Sequence, residues 1–241
     1  MKRVFPILAV LTAFLLVYAL YQALVVAPTE RTMGDVQRIF YYHVPSAWTA
    51  FLLFLANFVA SIVYLIRRNP KADALAVATA EVGVIFCSIV LVTGPIWARP
   101  VWGIWWTWDL RLTLTLVLWL IYVSYLALRR FSDSAQTPVL AAVLAVFGAL
   151  DVPLVYFSIW FFRTQHPQPV IGGGGSIDPR MLHVLLINWL AFSCFAFLIC
   201  WSRYRLERLR REVEEAQALE SLLGSGDAPA KPMAPPSRSP R

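Results

Sequence analysis

Long apolar runs, separated by short polar segments, fill the chain from its start to about residue 201. About 20 consecutive apolar residues are enough to cross a bilayer as a helix. The pattern therefore predicts an all-α, polytopic membrane protein with six transmembrane helices. The first run is longer than the roughly 7–15 residues of a signal-peptide core, so we expect an uncleaved span. The predicted spans are 4–27, 47–66, 74–97, 112–128, 138–162 and 181–201.

The dense basic clusters all fall on one side of these spans. They lie at the N-terminus, at 67–71, at 129–130 and at 203–211. Because positive charge is retained on the cytoplasmic side, both termini are expected to be cytoplasmic. In a bacterial inner membrane, the opposite segments 28–46, 98–111 and 163–180 would then face the periplasm.

The chain after the sixth span has a different character. We divide it into a six-span membrane domain at 1–202 and a cytoplasmic segment at 203–241. The stretch RYRLERLRREVEEAQALESLL predicts a charged helix, in which Glu207 and Arg211 form an i,i+4 pair. Past Gly224 the composition turns to Gly, Ser, Ala and Pro, which is typical of disorder.

Composition agrees with the membrane class. Of 241 residues, 59% are hydrophobic and 15% charged, against roughly 45–50% and about 25% in soluble domains. The net charge of +7 does not indicate nucleic acid, because most of the excess lies beside predicted spans. The three cysteines form no C-x-x-C pair, which argues against a thiol-redox motif and against covalent haem attachment.

All three histidines fall on the predicted outer side. His43 precedes span two and His183 opens span six, so both lie at a similar membrane depth. Two imidazoles that meet across the bundle would suit the two faces of a haem iron. The alternative is that each is an interfacial side chain whose polar end reaches water. His166 lies among prolines, away from a span, and is assigned only that second role.

The stretch WGIWWTWDLR, which begins at Trp102, concentrates indoles in one outer segment. On a helix, Trp102, Trp105, Trp106 and Asp109 would share one face. Such a surface would suit a planar apolar ligand such as a porphyrin, since flat rings stack well on indoles. An aromatic belt at the membrane interface is the alternative.

Charged side chains surround this segment. Arg99 and Arg111 bracket it, and Arg38, Arg163 and Arg180 lie in the flanking outer segments. Any of them could bind the propionates of a haem, because arginine matches carboxylate geometry. Ordinary pairing with lipid phosphate is the alternative for each.

Two carboxylates and one amide lie inside predicted spans. Glu81 and Asp151 are costly there, so a pairing or functional role is the default hypothesis. We expect no intramembrane Lys or Arg to pair with either one. Asn57 is a candidate for a hydrogen bond between helices.

WGIWWTWD resembles the tryptophan-rich signature W-G-x-x-W-x-W-D, called WWD, of proteins that handle haem in cytochrome c maturation. Together with GPIWARPVWGIWWTWDLRLT, YYHVPSAW and the six spans, it makes residues 1–202 similar to the haem exporter protein C family, CcmC. The WWD loop is 98–111. The tail from about Arg203 looks long for that family.

The resemblance implies a membrane protein that is not an enzyme. Such proteins hold haem b non-covalently and transiently at the periplasmic face, and they present it to a periplasmic haem chaperone, CcmE. The resemblance implies that His43 and His183 are the axial iron ligands. It also implies a haem platform, which consists of Trp102, Gly103, Trp105, Trp106, Trp108 and Asp109.

The resemblance also implies partners. These are an ABC-type ATPase, CcmA, its membrane subunit, CcmB, and a small single-span subunit, CcmD. Two other functions fit the same residues. One is a membrane haem oxidoreductase that keeps its haem and exchanges electrons with a quinone. The other is a transport permease with an interfacial tryptophan belt.

Overall fold

Helices account for nearly all of the described chain. A computed structural model describes residues 4–132, 134–162, 164–169 and 177–226, and within these ranges it contains no β-strand. Six helical spans are long and apolar enough to cross a membrane, so the predicted multi-pass all-α fold is confirmed. The helices are α1 Val4–Tyr21, α2 Phe40–Arg67, α3 Pro70–Trp102, α4 Leu110–Phe131, α5 Thr137–Ala149, α6 Asp151–Phe161 and α7 Pro179–Gly226.

The fifth span differs from its prediction as one helix. It consists of α5 and α6, which are separated at Leu150. Pro153 has no N–H to donate to the carbonyl of Ala149, which weakens the helix at this point. The break places the buried carboxyl of Asp151 in the first turn of α6.

The sixth span continues directly into the predicted charged helix. α7 has 48 residues and at 1.5 Å per residue is about 72 Å long. A hydrocarbon core is only about 30 Å thick, so α7 extends well beyond it. The tail residues 227–241, predicted to be disordered, lie outside the described ranges.

The core is built around α2 and α3, which pack closely on each other. α3 carries small residues on its buried side, which lets the two backbones approach. The ring of Phe54 stacks on Tyr122 of α4 with centroids 3.9 Å apart. Asn57 Nδ2 donates to the carbonyl of Ala76 at 2.6 Å, which confirms the predicted hydrogen bond between helices.

Gly83 lies at the tightest point of this packing. A Cβ built there would be 2.6 Å from Cε1 of the fully buried Phe54. We expect Gly83→Ala to lower stability by about 1–3 kcal/mol, because the stacked ring has no room to move. Gly94→Ala is the control, since its Cβ would meet only His43 Cε1 at 3.5 Å. Thermal unfolding of the solubilised protein checks both, and equal melting temperatures would contradict the prediction.

We call the end of the bundle with the clustered arginines the arginine end. There Asp73, only 2% exposed, accepts hydrogen bonds from Arg129 and from Arg211. Arg211 also binds Glu207 at 2.8 Å, which confirms the predicted i,i+4 pair. These contacts join the start of α3, the end of α4 and the extension of α7.

Glu81 pairs with an arginine that lies beyond the predicted sixth span, a partner that the prediction within the spans did not consider. Arg203 donates Nε and Nη2 to its two carboxylate oxygens at 2.6 and 2.8 Å. Because α7 stays helical past its apolar run, Arg203 is held beside the middle of α3. Asp151 differs, since its Oδ2 has no hydrogen-bond partner among the described residues.

Candidate functional site

The opposite end of the bundle holds the sequence-predicted site residues, and we call it the tryptophan end. α2, α4 and α7 begin here, and α3 ends here. The segments 103–109 and 164–169 connect or flank these helices. The arrangement therefore brings residues from four separated parts of the chain to one end.

His43 lies in the first turn of α2, although the sequence placed it just before a span. The helix begins early because a 3₁₀ turn, Asp35–Ile39, runs straight into Phe40. Arg38 fixes this turn to the end of the first span. Its guanidinium donates to the carbonyls of Ala23 and Ala27 at 2.8 and 3.4 Å.

The imidazole of His43 is held against α3. Its Nδ1 lies 2.9 Å from Thr93 Oγ1. The next residue, Gly94, has no side chain, and a Cβ there would touch His43 Cε1 at 3.5 Å. One ring nitrogen is thus engaged by α3, and Nε2 has no hydrogen-bond partner among the described residues.

The predicted helical face of tryptophans was wrong. α3 ends at Trp102 because Gly103 adopts a left-handed conformation, with φ of +79°, and its N–H donates to the carbonyl of Arg99. Asp109 then caps α4, since its carboxylate accepts from the N–H of Leu112 at 3.1 Å. The residues between these two caps are not helical, so their indoles cannot share one helix face.

The indoles nevertheless stay together at this end. Trp102 packs edge-to-face on Trp97 with centroids 5.1 Å apart, and Trp106 packs similarly on Trp108 at 5.8 Å. Trp105 and Trp108 are 59% and 76% exposed, whereas Trp102 and Trp106 are half-buried. Two indoles therefore anchor the segment and two are free to contact another molecule.

The two bracketing arginines differ in what they contact. Arg99 donates to the carbonyl of Gly103 and so helps to end α3. Arg111 is half-buried, and its Nη1 has no hydrogen-bond partner in the described parts of the chain. The indole Nε1 of Trp106 is likewise buried and unpartnered there. A buried donor without an acceptor is costly. Arg111 Nη1 and Trp106 Nε1 therefore favour the binding of another molecule that supplies an acceptor.

The arginines of the flanking segments add little to the site. Arg38 is used by the backbone contacts described above. Arg180 pairs with Asp178 at 3.0 Å, and its hydrogen bonds hold the pKa of that carboxyl below its usual value. Arg163 lies outside the described residues.

His183 lies at the same end of the bundle as His43, on α7. It lies in the first turns of α7, and its side chain is exposed. The structure gives it no hydrogen bond or ion pair with another described residue. The neighbouring Val184 and Leu185, by contrast, are buried against Tyr41 of α2, so the two helices do pack at this end.

His166, which the sequence assigned only an interfacial role, lies at the same end of the bundle. Its ring Nδ1 lies 2.9 Å from the carbonyl oxygen of Pro167. Its backbone N–H donates to Thr164 Oγ1 at 3.1 Å. It is only partly exposed, and it is near enough to His43 and Arg111 to interact with both electrostatically. The fold places His166 within electrostatic range of His43, although 123 positions separate them and no periodicity marks the second one.

The environment of His166 keeps its ring neutral. Burial lowers its pKa from 6.5 to about 4, and the positive charge of Arg111 acts in the same direction. Above that value the imidazole is uncharged and its Nε2 keeps a lone pair. A neutral imidazole is the form that binds a metal.

Comparison of the sequence with known proteins finds a family that this chain matches. The family model described as CcmC, Heme exporter protein C, matches residues 1–219. The chain is 37% identical over 222 residues to Heme exporter protein C of Bradyrhizobium diazoefficiens, covering 91% of this chain and 84% of the relative.

Two further relatives extend the same comparison. Heme exporter protein C of Escherichia coli (strain K12) is 35% identical over 185 residues, with 76% of this chain and 73% of the relative covered. A putative cytochrome c biosynthesis ccmC-like mitochondrial protein of Marchantia polymorpha is 34% identical over 186 residues, with coverages of 77% and 78%. The family match, over residues 1–219, includes the tryptophan end and all six predicted spans.

Proposed function

We propose, starting from the fact that this chain belongs to the haem exporter protein C family, that it binds haem at its tryptophan end and delivers it for cytochrome c maturation. The observation that carries the proposal is that one end of the bundle holds His43 and His166, within electrostatic range of Arg111, together with the unpartnered donors of Arg111 and Trp106. Within the described chain, the arginine end does not combine imidazoles, an arginine with an unpartnered buried donor and exposed indoles.

Each part of a haem has a fitting group there. The iron needs a nitrogen lone pair, and His43 offers Nε2 because Nδ1 faces Thr93. The propionates need buried donors without a partner, which Arg111 Nη1 and Trp106 Nε1 supply. The porphyrin edge needs apolar flat surface at the membrane boundary, and Trp105 and Trp108 expose it.

For the axial ligands we propose His43 and His166. Both have Nδ1 engaged by a neighbouring oxygen, which is the usual arrangement of a ligating histidine. The family resemblance implied His183 as the second ligand, and that assignment stays open as the alternative. His183 is exposed at the start of α7 and has no hydrogen-bond partner among the described residues, so its ring is also available to a ligand.

The same geometry suits delivery rather than retention. Trp105 and Trp108 are the most exposed indoles of the segment, so we assign them to contact with a periplasmic chaperone, CcmE. We also propose three partners because of the family resemblance. They are the ATPase CcmA, its membrane subunit CcmB and the single-span CcmD. The site lies on the periplasmic face of the inner membrane, with the arginine end in the cytoplasm.

This proposal assigns no chemical step to the chain. Its residues bind, orient and release the haem, and covalent attachment takes place elsewhere. The oxidoreductase alternative needs a haem that stays bound, and the permease alternative needs none at all. The three functions therefore differ in whether haem is present and whether it leaves.

A transfer assay separates them. The chain would be loaded with haem in lipid nanodiscs and mixed with purified CcmE, and haem would be followed onto the chaperone after separation. The proposal expects transfer; haem that stays on the chain and is reduced by a quinol supports the oxidoreductase. A wild-type chain that never takes up haem would refute the proposal.

Arg111 should matter more than Arg99 for haem retention. Losing a charge-assisted hydrogen bond costs about 1.5–3 kcal/mol, which is roughly a 10- to 100-fold weaker Kd. We expect this for Arg111→Gln, measured by haem titration. Arg99→Gln should bind nearly as wild type, because its guanidinium is already occupied by the carbonyl of Gly103. Equal losses in the two variants would contradict the assignment.

A further inference from the structure

We propose that Thr93 is a positioning residue, which holds the proton of His43 on Nδ1 and so directs Nε2 toward the iron. The inference rests on the proposed function, since it concerns how His43 acts as a ligand. Thr93 itself touches neither iron nor porphyrin in this account. Its role is to choose which ring nitrogen of His43 carries the lone pair.

The argument begins with the hydroxyl of Thr93. Its Oγ1 lies 2.6 Å from the carbonyl oxygen of Ile89 and 3.5 Å from that of Val90. A carbonyl oxygen can only accept, and a hydroxyl has a single hydrogen to donate. The hydrogen of Thr93 therefore goes to the carbonyl of Ile89, which is the closer acceptor.

The contact with His43 must then run the other way. Thr93 Oγ1 presents its lone pairs to His43 Nδ1, 2.9 Å away. Two lone pairs facing each other would repel, so Nδ1 carries a hydrogen and donates it. A neutral imidazole has only one N–H, so the lone pair of His43 is on Nε2.

The packing around the ring keeps this arrangement in place. Thr93 is anchored by its bond within α3, and Gly94 has no side chain, so the ring of His43 can lie close to that helix. Rotation of the imidazole would exchange the Thr93 contact for an unpartnered nitrogen. The ligand is therefore oriented before haem arrives.

The chemistry of the acceptor also bears on release. A carboxylate on Nδ1 would push electron density onto the ring and strengthen its bond to the metal. Thr93 is neutral and already donates its only hydrogen, so it orients the ring with little added basicity. His166 has a neutral acceptor as well, the carbonyl of Pro167. Neither imidazole is made much more basic by its Nδ1 acceptor, so both can bind iron and still release it.

Nitrogen NMR of the haem-free chain tests the tautomer directly. Histidine labelled with ¹⁵N would be incorporated, and the signals of His43 identified by their loss in His43→Gln. We expect the Nδ1–H tautomer in wild type and in Thr93→Ser, and a mixture of tautomers in Thr93→Val. An Nε2–H tautomer in wild type would overturn the inference while leaving haem binding untouched.

Haem titration gives the second readout. Thr93→Val should weaken haem binding about 10- to 100-fold, as loss of an outer partner of a metal-bound histidine does. Thr93→Ser should restore it. Ser88→Ala is the matched control, because Ser88 Oγ likewise donates within α3 and accepts from the ring N–H of Trp119, yet lies away from His43.

The two readouts separate the inference from the function on which it rests. If Thr93→Val binds haem as tightly as wild type, with the same low-spin spectrum, the positioning role is refuted. If neither the wild type nor any variant binds haem, the proposed function fails. The NMR result still decides the tautomer of His43. Should Thr93→Val not fold, Thr93→Ala is measured in the same two ways, with the same expectations.

Discussion

Replacing His43 by alanine should remove stable haem from the purified protein and stop assembly of c-type cytochromes in cells. The change deletes a proposed ligand whose Nδ1 is held by Thr93, which leaves Nε2 for the iron. We expect a loss of affinity of at least about 100-fold, the upper end of what loss of a mere outer partner costs. Haem per mole of protein and covalently bound haem in membrane fractions measure the two effects.

Two controls exclude a folding explanation for this loss. Without haem, His43→Ala should unfold at nearly the wild-type temperature, because His43 is only partly buried and its ring lies beside Gly94. Added imidazole should restore haem binding to His43→Gly by occupying the vacated space. Full haem content in His43→Ala would mean that the ligand lies elsewhere.

Replacing Asp73 by alanine should have the largest effect on stability. Its buried carboxylate binds both Arg129 and Arg211, and the Arg129 side chain is itself only 12% exposed. Removing it leaves the buried Arg129 without its carboxylate and Arg211 with only Glu207. Breaking a buried pair typically costs about 3–5 kcal/mol. Thermal and denaturant unfolding of the solubilised protein would show this as an earlier transition.

An exposed ion pair on the same helix gives the matched control. Glu212 pairs with Arg208 at 3.0 Å, and both side chains are well exposed. Such i,i+4 pairs contribute about 0.3–0.5 kcal/mol, so Glu212→Ala should change little. If the two variants unfold alike, then Asp73 does not join α3, α4 and α7 as described.

The spans could be predicted because composition alone determines them. Apolar runs and basic clusters report the transfer of side chains into lipid, which depends on each residue and little on its neighbours. The pairing of Glu81 with Arg203 could not be predicted in this way. It depends on α7 remaining helical beyond its apolar run, which places the arginine beside α3.

The site was harder to predict because local signals compete there. Helical periodicity through WGIWWTWD suggested one aromatic face, but the left-handed Gly103 and the cap at Asp109 end the flanking helices. Both are recognised signals for helix ends, and they override periodicity over so short a stretch. His166 gave no local signal at all, because only the tertiary fold places it within electrostatic range of His43.

The visible spectrum of bound haem in wild type, His166→Ala and His183→Ala tests the central claim most directly. The account predicts low-spin, six-coordinate haem in wild type and in His183→Ala, and a high-spin, five-coordinate spectrum in His166→Ala. The reverse pattern, with low-spin haem kept in His166→Ala and lost in His183→Ala, would contradict the ligand pair His43 and His166.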